Sequence, residues 1–331
     1  MSAVASRLPH PVASCAFWRD YLVTCRLYLS FVSGTAGLVG LALVPSLPPG
    51  KLACAVPAFL LSYGFGQALT DVFQTDTDSL SAPYRPLVQG HIAKGQVAAV
   101  SLAGLAICAV LLVLCNPWTL IVSGLGVVGL ATYTPWKRRW WGGPPWNSWI
   151  VACLPLIGVQ CGVPGFAAAF AVAGLGWAVA SVFFSYATFV LLGYFKDVSA
   201  DRATGYETLV VRFGWGPALL VSAGNGLLAV AASAALLRGR GAFGPGLAAA
   251  GGVALIAWVA GVSLLAVSHV AMGSRHAEDR AYGPIELCVR GYVLLHLGEA
   301  CLVRPSLSML AIAFYAGLEL ALALRPERRQ V

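Results

Sequence analysis

Five aspartates in two short stretches are the residues of this chain best placed to do chemistry. The first stretch holds Asp71, Gln74, Asp76 and Asp78, and is followed by Pro83, Arg85, Pro86 and Leu87. The second holds Tyr194, Lys196, Asp197, Asp201 and Arg202, then Gly205, Thr208 and Leu209. The chain has only 13 Asp and Glu in 331 residues. Carboxylates crowded at the ends of apolar segments are costly unless a cation or a polar ligand compensates them. The implied chemistry is metal binding, with an anionic substrate.

Spacing sets what the two stretches can do. If the helices run on through them, Asp71 and Asp78, seven apart, share a face with Gln74 between them, and Asp76 points elsewhere. Asp197 and Asp201, four apart, also share a face. Two such faces turned toward each other form an oxygen-rich pocket for Mg²⁺, which takes one or two carboxylates and fills its remaining positions with water and phosphate oxygens. Arg85, Lys94, Arg138 and Arg202 are the expected phosphate contacts, with Lys196 beside Asp197. A diphosphate head at the membrane surface and an apolar tail among helices describe a prenyl diphosphate. Its ionisation leaves an allylic cation, which Phe183, Phe184, Tyr186 and Tyr194 could face and dry surroundings would protect from water. The bland alternative is a set of surface ion pairs, each worth about 0–1 kcal/mol. Two clusters, each with aligned aspartates and a trailing arginine, favour function.

The elements that must position these residues are membrane helices. Hydrophobic residues make up 59 % of the chain and charged residues 10 %, and the mean hydropathy is +0.79. A soluble domain carries about a quarter charged residues, and a bilayer core takes about 20 apolar residues per helix. The expected spans are 21–44, 52–73, 95–115, 118–135, 147–165, 167–195, 215–237, 246–271, 284–303 and 306–324. The fold class is therefore all-α: a polytopic membrane bundle of about nine core helices plus one extra C-terminal segment. Residues 1–20 form an N-terminal segment, 21–325 a single transmembrane domain, and 326–331 a basic tail. Stretches 52–78 and 167–201 look like two related helix-plus-loop units.

Charge orients the bundle. The side carrying both acidic clusters also carries 15 of the 21 Lys and Arg, against 4 on the other side, which places the clusters on the cytoplasmic face. The net charge of +8 follows from this asymmetry and from anionic lipid or substrate. No basic-aromatic motif points to nucleic acid. A loop on the same side combines Lys137, Arg138 and Arg139 with Trp136, Trp140, Trp141 and Trp146, as an interfacial belt or a phosphate contact. The nine cysteines lack the paired spacing of a zinc site and read as packing residues. The N-terminal apolar run is too long for a cleaved signal. His296 and Glu299, three apart in segment 284–303, suit a polar contact between helices.

At these residues the chain resembles the UbiA superfamily of intramembrane prenyltransferases. The first motif of that family, aligned on Pro83, Arg85, Pro86 and Leu87, places Asp71, Gln74 and Asp78 at its three acidic positions and Thr70 at its asparagine. The second, aligned on Asp201, Arg202, Gly205, Thr208 and Leu209, places Asp197 and Tyr194 at its earlier aspartates. Tyr133, Pro135 and Asn147 are similar to a family loop, and Arg26 matches a common family arginine. The resemblance spans roughly residues 20–270 and implies an all-α bundle of nine helices around a central cavity. It implies Mg²⁺ on Asp71, Asp78, Asp197 and Asp201, and substrate contacts from Gln74, Arg85, Lys94, Tyr133, Arg138, Asn147, Tyr194, Lys196 and Arg202. It implies transfer of a prenyl group from its diphosphate to an aromatic or quinone-type acceptor. Thr70, Gln74 and Tyr194 depart from the family pattern and put the number of Mg²⁺ ions in question. The alternative they open is a membrane terpene cyclase, which ionises the same donor and uses no acceptor. A transporter fits less well, because the charges lie at helix ends and not mid-span.

Overall fold

The computed structural model describes residues 8–242, 252–274 and 276–327. Arg7, Arg275, Arg328 and Arg329 of the charge asymmetry, residues 1–7 of the N-terminal segment, residues 246–251 of the eighth expected span and residues 328–331 of the tail lie outside these. Among the described residues the only regular structure is helical. The long helices are α1 (Cys15–Cys25), α2 (Ser30–Leu43), α3 (Pro49–Asp71), α5 (Lys94–Cys115), α6 (Thr119–Ala131), α8 (Gly143–Gly162), α9 (Leu175–Tyr194), α12 (Trp215–Gly239), α13 (Gly252–Gly273), α14 (Tyr282–Val303) and α15 (Ser308–Ala323). Four short helices, α4 (Thr75–Ser81), α7 (Tyr133–Lys137), α10 (Val198–Ala203) and α11 (Leu209–Phe213), follow their carboxyl ends on one side. The chain is a multi-pass membrane bundle.

Among the described residues six helices are long and apolar enough to cross a bilayer, and α1 with α2 makes a seventh span bent by 49°. The expected nine is not reached on that test, because α6 is short and α8 and α14 carry polar residues inward. The expected span 21–44 breaks at Arg26, whose φ of 50° is left-handed and ends α1. A non-glycine residue in that region is strained and persists only where its surroundings hold it. The expected span 167–195 begins late, because Gly174 takes a φ of 89° and α9 starts after it. Segment 284–303 is a full helix. Its Arg290 bonds Glu286 at 2.6 Å and Glu319 at 2.7 and 2.9 Å, while Arg325 bonds Glu286 at 2.6 Å. This network docks α15 on α14.

Small residues let the helices close up. A side chain at Gly261 of α13 would run into the backbone of Leu295 on α14, and one at Gly298 into the backbone of Trp258. Such close approach drives helix association where no hydrophobic effect separates helix from lipid. Next to it lies a fully buried polar chain. Ser185 Oγ meets His296 Nε2 at 2.8 Å, His296 Nδ1 meets Glu299 Oε2 at 2.7 Å, and Ser181 donates to Glu299 Oε1 at 2.6 Å. His296 and Glu299 thus tie α14 to α9.

Removing one partner of a buried pair leaves the other uncompensated, at about 3–5 kcal/mol. His296→Ala is therefore expected to lower the thermal midpoint in detergent far more than Ser268→Ala. Equal midpoints would show that the pair does not hold α9 against α14.

Candidate active site

The two acidic motifs are built alike. Helix α3 ends at Asp71 and α9 ends at Tyr194; each is followed by a three-residue break and a short helix, α4 or α10. The short helices meet through the Thr77 and Thr204 hydroxyls at 3.1 Å. The expected continuous helical face is not what joins the aspartates. The backbone turns at 72–74, where Phe73 and Gln74 N–H groups bond the Thr70 and Asp71 carbonyls. Asp71 and Asp78 come together because Arg85 binds both, Asp71 at 3.7 Å and Asp78 more closely. Asp197 lies in the break before α10 and Asp201 within that helix.

Each carboxylate faces a cation, brought from another segment for Asp71, Asp78 and Asp201 and supplied by the preceding residue for Asp197. The left-handed turn at Arg26 aims its guanidinium at Asp71 Oδ2, 2.9 Å away, and Gln67 donates to Asp71 Oδ1 at 2.7 Å. Lys196 bonds both oxygens of Asp197 at 2.9 and 3.1 Å. Lys137 of α7 stands 3.6 Å from Asp201 and donates to Gln74 Oε1 at 3.2 Å. Its ammonium also lies over the rings of Tyr194 and Tyr206, at 5.7 and 5.1 Å. Tyr133 and Tyr194 share a hydroxyl contact at 2.9 Å. A side chain at Gly143, which begins α8, would strike the Tyr194 hydroxyl, so only glycine lets this corner close.

Burial perturbs these groups. It pushes Asp78 above the usual carboxylate range, against the pull of Arg85. It raises Asp201 to about 6, partly opposed by Lys137. Burial also pushes Asp197 up, but Lys196, Lys137 and Arg85 outweigh it and hold that carboxyl below its ordinary value. Lys196 is pushed down by its burial.

Beneath this charged layer lies a cavity of about 840 Å³. Arg26, Gln74, Arg85, Lys137, Lys196 and Asp197 line its polar end, and Tyr133, Asn147 and Tyr194 lie beside them. Its walls are apolar, formed by α3, α5, α6, α8 and α9. Tyr186 and Phe189 line it, and Tyr186 bonds Tyr63 at 3.0 Å. Phe183 and Phe184 do not line it, because the facing residues of α9 continue from Tyr186 to Phe189, Val190, Gly193 and Tyr194.

Three expected phosphate contacts stand apart from the cavity. Lys94 is exposed at the first residue of α5, and Arg202 is exposed on α10. Arg138 turns outward, bonding Asp76 at 2.9 Å and covering the Tyr206 ring at 4.7 Å. The cation in its place is its neighbour Lys137, buried to 6 % exposure. In the sequence Lys137 is one of three consecutive basic residues, and nothing in the run says which one turns inward.

Among the described residues, no three His, Cys, Asp or Glu side chains converge as a ready metal cage. The donor set nevertheless suits a hard divalent cation that shares its shell with a ligand. Asp201 is fully buried, and neither of its carboxylate oxygens has a hydrogen-bond partner. Mg²⁺ needs only one or two carboxylates when phosphate oxygens and water supply the rest.

A carboxyl whose folded pKa is raised above its unfolded one is less destabilising when protonated. Below its ordinary value near 4 the penalty from Asp201 is absent; it grows as pH rises from about 4 and is complete above about 6. Without metal, the thermal midpoint should therefore gain less on acidification from about pH 7 to pH 5 in Asp201→Asn than in the parent. Identical pH profiles would remove Asp201 as a source of that strain.

The model of the UbiA prenyltransferase family matches residues 30–281. Digeranylgeranylglyceryl phosphate synthase of Natronomonas pharaonis is 30 % identical over 193 residues, covering 56 % of this chain and 65 % of its own. Chloroplastic chlorophyll synthase of Arabidopsis thaliana is 26 % identical over 173 residues, covering 46 % of this chain and 41 % of its own. The chain thus spans between two fifths and just under two thirds of these two relatives. A UbiA homologue from Aeropyrum pernix K1 superposes with a TM-score of 0.68 at 20 % identity, over 82 % of this chain and 97 % of that one. A UbiA homologue from Archaeoglobus fulgidus, bound to DMAPP and Mg²⁺, superposes with a TM-score of 0.55 at 18 % identity, over 66 % and 78 %. With most of its length matched by the family model, and with the helical fold shared, this chain belongs to the UbiA prenyltransferase family.

Proposed function

We propose that this protein is a Mg²⁺-dependent intramembrane prenyltransferase that transfers an allylic prenyl group from its diphosphate to a lipophilic acceptor of aromatic or quinone type. One observation carries this assignment: an apolar cavity of about 840 Å³ ends in Arg26, Arg85, Lys137 and Lys196, set among the aspartates of both motifs. A prenyl diphosphate has that shape and polarity. The Archaeoglobus fulgidus homologue structures bound to DMAPP or GPP with Mg²⁺ support the same donor class. The named relatives lend the cyclase alternative no support.

The chemistry begins with heterolysis of the allylic C–O bond, whose electron pair leaves with the diphosphate. Arg26, Arg85, Lys137 and Lys196 bind and orient the diphosphate oxygens, and their fixed charges meet the charge developing on the leaving group. Asp71, Asp78, Asp197 and Asp201 would hold Mg²⁺, which when bound neutralises diphosphate charge. Tyr186, Phe189 and Tyr194 present aromatic surface to the allylic cation. The apolar walls exclude water, so the cation is captured by the acceptor, which then loses a proton. The Lys and Arg asymmetry supports a cytoplasmic placement of the motif face, with residues 21–325 as one domain in the bilayer.

Membranes carrying the protein, supplied with labelled geranylgeranyl diphosphate and candidate phenols or quinols, should release diphosphate and form a prenylated acceptor. Chelation should stop both, and added Mg²⁺ should restore them. Absence of diphosphate release from every allylic donor tried would overturn the proposal. A hydrocarbon or terpene alcohol formed without acceptor would replace it with the cyclase alternative.

Loss of one donor that stabilises developing charge costs about 100-fold or more in rate. Lys137→Gln should show that loss with normal folding, whereas Lys94→Gln and Arg202→Gln should stay near the parent. Comparable losses in all three would show that the buried lysine has no special place.

A further inference from the structure

A second charged cluster lies beside the active site, where the N-terminal segment, α1 and the loop after α4 meet. Its centre is Asp20 of α1, a carboxylate only 4 % exposed. Two imidazoles from other segments face the same oxygen. His10 Nε2 stands 3.7 Å and His91 Nδ1 3.5 Å from Asp20 Oδ2. Both distances exceed a hydrogen bond, and Oδ2 has no hydrogen-bond partner. Arg19 bonds the other oxygen, Oδ1, at 3.1 Å, but its side chain is 72 % exposed, and so exposed a pair contributes little. A buried carboxylate oxygen without a partner is costly. Among the described residues, the two imidazoles are the charge-bearing groups placed to compensate it.

The backbone around the imidazoles is tied. His10 N–H donates to the His91 carbonyl at 2.9 Å, and the Gln96 amide of α5 donates to the His10 carbonyl at 3.0 Å. His91 N–H donates to the Pro86 carbonyl at 3.0 Å and Gln89 N–H to the Arg85 carbonyl at 2.9 Å, so His91 closes the loop that carries Arg85. Leu87 and Ile92 of that loop pack with Phe17 and Tyr21 of α1 in a small core of their own. The Tyr21 hydroxyl meets Ser101 of α5 at 2.8 Å and leaves Asp20 to the imidazoles. Asp20 also stands six residues before Arg26, about 9 Å along α1. The cluster thus joins the two segments whose guanidiniums meet Asp71, Arg26 at 2.9 Å and Arg85 at 3.7 Å.

We infer that Asp20, His10 and His91 form a proton-sensitive clamp that positions Arg26 and Arg85 for the diphosphate. Imidazole is the side chain whose ordinary charge change falls between about pH 5 and 8. Both rings are partly exposed, so water can deliver the proton. An imidazolium on either ring pairs with Asp20 and draws the Arg85 loop onto α1. Neutral rings leave the buried oxygen uncompensated and the loop looser. The ring centres are 5.9 Å apart, so two imidazoliums repel and the first proton closes the clamp. The clamp is tightest on the acid side and is lost as pH rises through the imidazole range.

None of the three residues lines the cavity, so they act as positioning residues. Positioning has its own kinetic signature. When only a fraction of molecules is competent, apparent affinity falls by that fraction, and a saturating donor draws the arginines back. Loss of the clamp should raise KM and leave kcat little changed. This kinetic consequence rests on the proposed prenyl transfer; the clamp itself does not.

The test uses the full chain in membranes and has two arms. The first is hydrogen exchange of backbone amides 87–92, read by mass spectrometry and corrected for its intrinsic pH dependence. Protection in the parent should fall several-fold from about pH 6 to about pH 8. It should be low at both in Asp20→Asn, and independent of pH in the double variant His10→Gln, His91→Gln. The second arm is steady-state kinetics with geranylgeranyl diphosphate. Asp20→Asn should raise KM several-fold at about pH 6, and its gap from the parent should narrow at about pH 8. Asp20→Glu should recover part of the loss. Equal protection in the parent and Asp20→Asn, or protection in the parent that ignores pH, would overturn the clamp. A fall in kcat at unchanged KM would overturn its link to the arginines. Clamp-dependent exchange in a parent that releases no diphosphate would leave the clamp standing and overturn prenyl transfer.

Discussion

The pairing of each buried carboxylate of the site with a cation, for Asp71, Asp78 and Asp201 one brought from another segment, is the constraint on which the rest of this structure depends. An uncompensated charge at the edge of an apolar bundle is expensive, so the polypeptide must bring a partner to every aspartate of the site. Arg26 arrives from a broken span, Arg85 from the loop after α4, Lys137 from the short helix α7, and Lys196 from the break after α9, next to its own partner. The left-handed backbone at Arg26, the break between α3 and α4, and the glycine at the start of α8 are local devices that let those partners reach. The cavity lies directly under the layer they create.

Much of this was legible in the sequence. The number and length of the apolar runs announced a membrane bundle, because the bilayer admits few other solutions. The spacing of Asp71, Asp78, Asp197 and Asp201 marked the site. How those residues are joined was not legible. Residues 72–74 contain neither glycine nor proline, so nothing local announced that α3 stops at Asp71. Arg85 joins the two halves of the first motif, Lys137 links Gln74 of the first to Asp201 of the second, and long-range pairing of that kind leaves no periodic trace.

The basic residues show the same limit. Lys94, Arg138 and Arg202 carry the charge expected of phosphate ligands, yet all three are exposed outside the cavity. Lys137 differs from Arg138 only by one step around a helical turn, and that step takes it from the surface into the site. Phe183 and Phe184 give way to Phe189 for the same reason: the face of α9 presented to the cavity is chosen by packing against α8, α12 and α14.

The two motif units repeat one geometry with different bases. In the first, the aspartates are held by Arg26 and Arg85; in the second, by Lys196 and Lys137. A guanidinium stays protonated under all physiological conditions, whereas a desolvated ammonium can surrender its proton. The duplicated scaffold is therefore chemically lopsided. In one half the bases are permanent charges, and in the other Lys196, pushed down by its burial, is a base able to give up its proton.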